Sequence, residues 1–69
     1  MTKYLVVAEK TDTGYSAYSP DLPGCVATGR TPAELERTMR EAMRFHLDGL
    51  REDREAIPAP HSYCTVCEV

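Results

Sequence analysis

The sequence predicts a small α+β domain of order β-β-β-α-β, with one helix laid on one face of a four-stranded sheet. Three observations carry that expectation. Two short runs rich in β-branched and aromatic residues, Tyr4-Leu5-Val6-Val7-Ala8 and Tyr15-Ser16-Ala17-Tyr18-Ser19, flank the turn residues Thr11-Asp12-Thr13-Gly14. A helix-start signature, Thr31-Pro32-Ala33-Glu34, opens a long stretch whose apolar residues recur at helical spacing. Pro58 and Pro60 then stop any helix ahead of a last β-prone segment, Ser62–Val69.

The elements follow in order. The first strand is expected over Lys3–Lys10. Gly14 in the following turn is free to take positive φ, so the short connection makes Tyr15–Ser19 an antiparallel partner. Alternation puts Tyr15 and Ala17 on one face of that second strand and Ser16 and Tyr18 on the other. Pro20-Asp21-Leu22-Pro23-Gly24 lacks the ladder donors of a central strand and reads as a rigid loop. Cys25–Gly29 resumes as a third strand, completing a meander. Thr31 is placed to cap the helix, with proline at its first position and Glu34 reaching back to close a capping box.

The helix is expected from Pro32 to about Glu52. Leu35, Met39, Ala42, Met43, His46, Leu47 and Leu50 form its apolar stripe, while Glu36–Arg40 and Arg44–Asp48 set opposite charges four apart elsewhere. Those charge pairs contribute tenths of a kcal/mol each. Burying Leu35, Met39, Met43 and Leu50 contributes roughly 6–12 kcal/mol gross, so the stripe decides where the helix lies. If the last strand runs parallel to the first, the helix is a right-handed crossover. The sheet face away from the helix is then open.

Size and charge narrow the function. The chain has 69 residues, room for one domain over 1–69, and no apolar run long enough to span a membrane. Its N-terminus lacks a signal-peptide pattern, so a cytoplasmic location is expected. A net charge of −3 disfavours nucleic acid and suits a basic protein partner. A core this small is commonly supplemented by disulfides, a metal or a subunit interface. Three cysteines in an intracellular chain argue against a disulfide framework. Oligomerisation, as a dimer or tetramer, is the expected solution.

Cys64-Thr65-Val66-Cys67, with His61 ahead of it and Cys25 elsewhere, is the one candidate metal or redox constellation. Residues three apart on a strand point to opposite faces, so the pair chelates poorly if Ser62–Val69 is a strand. The expectation is therefore no metal and no cofactor. Cys25 with His46 is a conceivable dyad that sequence cannot bring together. Glu9 and Glu68, on neighbouring expected strands, are the only carboxylates that could converge as in a metal-dependent nuclease, and a solvated rim accounts for them better. No catalytic residue is assigned and no enzymatic activity is expected. Tyr4, Tyr15, Tyr18 and Tyr63 all fall on expected strands, where tyrosine suits an interface. Tyr15, Tyr18, Asp21, Leu22 and Pro23 are the candidate partner-binding residues.

The segment Tyr15–Gly29, with its Pro20-Asp21-Leu22-Pro23-Gly24-Cys25 core, Thr31, the helix stretch Glu41–Leu50 with its His46-Leu47 and Leu50, and Ile57-Pro58 together closely resemble the HicB family. The resemblance covers nearly the whole chain. It implies a partial ribonuclease-H-like fold with strand order 3-2-1-4 in a mixed sheet, stripped of nuclease chemistry. It also implies an antitoxin that binds and covers a HicA toxin, a small basic ribonuclease that cleaves mRNA. Family members often carry a C-terminal DNA-binding element; the sequence stops at Val69 without one, so direct DNA binding is not expected. Cys64 and Cys67 are not features expected of the family's last strand. Alternatives are a homo-oligomeric binding module with no toxin and a vestigial ribonuclease-H-like nuclease.

Overall fold

The computed structural model describes residues 2–69. Three strands form one antiparallel sheet: β1 (Val7–Lys10), β2 (Tyr15–Tyr18) and β3 (Val26–Gly29), in the order β1-β2-β3. One helix, α1 (Pro32–Glu52), follows. The meander and the helix agree with the sequence reading. The four-stranded mixed sheet of order 3-2-1-4 does not: Ser62–Val69 is not a strand, and the architecture is β-β-β-α. With no fourth strand among the described residues, α1 is not a parallel crossover.

Register fixes the two sheet faces. Val7 pairs with Tyr18 and Tyr18 with Val26, while Ala8, Ala17 and Ala27 lie opposite one another in the next row. Cross-strand partners share a face. Ala17 and Ala27 are buried under α1, and small side chains there let the helix approach closely. Gly29 is required for the same reason, because a Cβ at that position would stand 2.7 Å from the backbone nitrogen of Leu35. Gly14 is constrained similarly by the end of β3, rather than by the positive φ expected of it; Gly24 is the glycine with positive φ, at 83°.

α1 starts as expected. Thr31 is extended and its Oγ1 accepts from the Glu34 amide at 3.1 Å. Only this arm of the expected capping box is formed among the described residues. The helix ends in a Schellman closure: the Glu55 amide donates to the Leu50 carbonyl at 2.9 Å and the Arg54 amide to the Arg51 carbonyl at 3.1 Å. Arg54 takes the left-handed conformation this closure needs, φ 55°. Asp48 pairs with Arg51 at 3.0 Å rather than with Arg44.

The core consists of Ala17, Leu22, Cys25, Ala27, Leu35 and Met39, with Tyr4, Val6, Tyr15, Ala42, Met43 and Leu47 packed around it. Of the four long side chains expected to anchor the helix, Leu35 and Met39 are buried and Met43 and Leu50 half-buried. Full burial of those two contributes roughly 3–6 kcal/mol gross. The helix stripe runs out where the sheet does.

Candidate partner-binding surface

The Pro20–Gly24 loop is built around a buried carboxylate. Asp21 is only 2 % exposed, yet every polar demand it makes is met by the segment that follows the helix. Its Oδ2 accepts from the amides of His61 and Ser62 at 3.1 and 3.0 Å, and its Oδ1 accepts from the Ser62 hydroxyl at 2.7 Å. The His61 ring also lies beside it, Nδ1 to Oδ1 3.1 Å. The Ser62 hydroxyl chiefly, then the Ser62 and His61 amides and the imidazole, hold the Asp21 carboxyl below the usual carboxylate range against the opposing effect of desolvation. Two further bonds join distant segments: the Tyr4 hydroxyl donates to the Pro58 carbonyl at 2.6 Å, and the Ser19 hydroxyl to the Leu5 carbonyl at 2.8 Å.

These contacts sit where the expected last strand would begin. A last strand over Ser62–Val69 would begin by offering its amides to a neighbouring strand, and Asp21 takes the first of them. Beyond Ser62 the chain is exposed, with Tyr63 at 81 % and Val66 at 91 %. β1 is shorter than expected, starting at Val7 rather than Lys3, and no strand among the described residues pairs with its outer edge.

The five residues expected to meet a partner separate into distinct environments. Tyr18 and Pro23 are exposed. Tyr15 is half-buried on the helix side of the sheet, packed against the core. Asp21 and Leu22 are buried, and their chemistry is spent inside the chain, where they shape the loop that carries Pro23. The sequence reading passed over Val26 and Phe45. Val26 is 65 % exposed and is directly opposite Tyr18. Together with half-buried Val7, these two form an apolar row across all three strands on the face away from α1. The third-strand alternation already implied that row once Tyr18 was placed on the open face. Phe45, 81 % exposed on α1, lies outside the stripe at helical spacing.

The remaining constellations are not assembled as catalytic groups. Cys25 and His46 line one shallow groove between β3 and α1, but burial pushes the Cys25 thiol up, away from the thiolate a nucleophile needs. Glu9 lies on the open face opposite Ser16, whereas Glu68 is in the segment without regular structure, so no strand pairing brings these carboxylates together. Among the described residues, no three His, Cys, Asp or Glu side chains gather as metal ligands. Among the described residues, no helix is long and apolar enough to cross a membrane.

Comparison with known proteins agrees with this geometry. The chain is 40% identical over 55 residues to an uncharacterized 14.9 kDa protein of Haemophilus phage HP1, covering 80% of this chain and 41% of that one. It thus spans about two fifths of the phage protein. It is 37% identical over 57 residues to a UPF0150 protein of Thermoplasma acidophilum, covering 81% of this chain and 83% of the relative. Among solved structures, it is similar to a chain of a HicA3 and HicB3 toxin–antitoxin complex, with TM-score 0.69 and 27% identity over 86% of this chain and 72% of that one. Residues 4–68 match the model of the HicB-like antitoxins of bacterial toxin–antitoxin systems, a span that takes in the meander, the Asp21 loop, the helix and the segment after it. With both the sequence match and the shared fold covering most of its length, the chain belongs to the HicB-like antitoxin family.

Proposed function

We propose that this domain neutralises a HicA-type, mRNA-cleaving toxin in the cytoplasm by binding it, with the sheet face away from α1 as the contact surface. The observation that carries the reading is the cross-strand row Val7–Tyr18–Val26, in which Tyr18 and Val26 are exposed and Val7 half-buried. An apolar row with a tyrosine at its centre has the composition of an interface core rather than of a solvated sheet. The surrounding charge fits as well, since a net charge of −3 favours approach to a basic ribonuclease. The likeness to a chain of a HicA3 and HicB3 complex supports the same kind of partner. Inhibition then works by occlusion and asks for no catalytic group.

The domain also acts as a homo-oligomer in this reading. Its core has only six buried apolar residues, and exposed Phe45 offers further area to bury.

Co-expression with the product of the neighbouring gene, or with a HicA-type toxin, tests the proposal. The wild type should co-purify with the toxin and relieve its growth arrest. Tyr18→Asp and Val26→Asp should each abolish co-purification while leaving the helical circular dichroism intact, because neither side chain is buried in the monomer. Failure of the wild type to bind, or full binding by both variants, overturns the assignment.

A further inference from the structure

The Cys64-Thr65-Val66-Cys67 motif has no role in the partner-binding surface. Its expected place on a strand would have held the two sulfurs on opposite faces. That obstacle is gone: residues 62–69 have no regular structure, and both thiols are free and exposed. The last backbone amides held in this region are those of His61 and Ser62, on Asp21, so the four residues from Cys64 to Cys67 can close into a loop without breaking any described hydrogen bond. The third cysteine is set apart. Cys25 is free but 4 % exposed, in the core between Leu22 and β3.

We propose that Cys64 and Cys67 form a reversible dithiol–disulfide pair that exchanges with small-molecule disulfides, while Cys25 stays a core thiol. The exchange balances with oxidised glutathione as the oxidant. One thiolate of the pair attacks the glutathione disulfide, forming a mixed disulfide and expelling one glutathione thiolate. The second thiolate attacks the protein sulfur of that mixed disulfide and expels the other glutathione. Both cysteines are oxidised, both glutathiones are reduced, and the two protons pass to the departing thiolates. Access selects the pair, since Cys25 is shielded and burial also disfavours its thiolate.

The disulfide has a conformational consequence. Cα atoms three residues apart in an extended strand stand about 10 Å from each other. A disulfide holds them within about 4.4–6.8 Å. The oxidised segment is therefore barred from straightening onto any strand edge, and the reduced segment is free to do so. The pair sets the conformational range of the chain beyond Ser62.

Peptide mapping tests the pair directly. Cleavage after Arg54 puts Cys64 and Cys67 on one peptide, and cleavage after Lys10 and Arg30 puts Cys25 on another. The 69-residue chain is equilibrated in glutathione buffers stepped from reducing to oxidising, quenched in acid, unfolded and alkylated. The expected result is loss of both labels from the C-terminal peptide together, with a mass lower by two hydrogens, while Cys25 remains fully labelled and the helical circular dichroism is unchanged. Cys64→Ser should instead stop at a glutathione adduct on Cys67. Accumulation of glutathione on both cysteines of the wild type, disulfides between chains, prior consumption of Cys25, or full labelling in the most oxidising buffer each overturns the proposal.

Discussion

Replacing Leu22 with alanine removes the side chain that closes the core from the loop side. Leu22 is 0 % exposed and, with Met39, is one of the two largest fully buried side chains. Truncating a buried leucine to alanine costs about 3–5 kcal/mol, a transfer loss plus a cavity that the surroundings refill only in part. The loop bounded by Pro20 and Pro23 has little freedom to collapse inward, which favours the upper half of that range. At about 0.05–0.15 kcal/mol per residue, the domain's whole stability is on the order of 3–10 kcal/mol. The melting temperature should fall by about 20 °C or more, because each kcal/mol shifts a domain this small by several degrees. Urea titration followed by circular dichroism at 222 nm, with the slope compared between variants, measures the loss. Pro23→Ala is the neighbouring control and should cost no more than about 1 kcal/mol, since Pro23 is exposed and its loss acts only through chain flexibility. A Leu22→Ala loss below about 1 kcal/mol at unchanged slope would refute the view that this loop is part of the cooperative core.

The Asp21 carboxyl is held below its ordinary range, so its bonds to Ser62 and His61 stabilise the fold above the unfolded pKa and lose that contribution as pH falls through the lowered folded value. Wild-type stability should therefore decline with acid from about pH 4 downward, and Asp21→Asn should flatten that part of the profile while hastening amide exchange at His61 and Ser62. Arg54→Gly should raise stability by about 0.5–1 kcal/mol in thermal melts, because glycine takes the left-handed helix closure without the Cβ conflict that Arg54 accepts.

The helix and the hairpin were legible because their signals are local. Thr31, Pro32 and Glu34 mark a start within one turn, and Leu35, Met39 and Met43 repeat at the helical period. Tyr15 and Ala17 against Ser16 and Tyr18 likewise assigned the faces of β2. The last strand was misread because Tyr63, Thr65 and Val66 state only a propensity, which tertiary partners override. The contact made where that strand would start is to Asp21, some forty residues earlier, a residue that reads locally as ordinary turn chemistry between two prolines. Its burial goes with that distant contact, and that of Leu22 with packing in the core beside Leu35 and Met39; neither leaves a trace in local spacing. Val26 was within reach of sequence reasoning, since pairing with Tyr18 follows from the meander. Phe45 was within reach too, since it falls outside the apolar stripe at helical spacing.

The bonds from Asp21 and Tyr4 to the segment after the helix have a consequence for the order in which the molecule assembles. Asp21 and Ser62 are 41 positions apart, and Tyr4 and Pro58 are 54 apart. Hairpins and helical turns close over a few residues, whereas these junctions must wait for a long stretch of chain to be arranged. A chain leaving the ribosome N-terminus first has its meander and helix synthesised before His61 and Ser62 emerge. The strap that fastens the loop to the segment after the helix is therefore delivered later than the meander and the helix. Being small and partly wet, it is also the first to let go when the domain breathes.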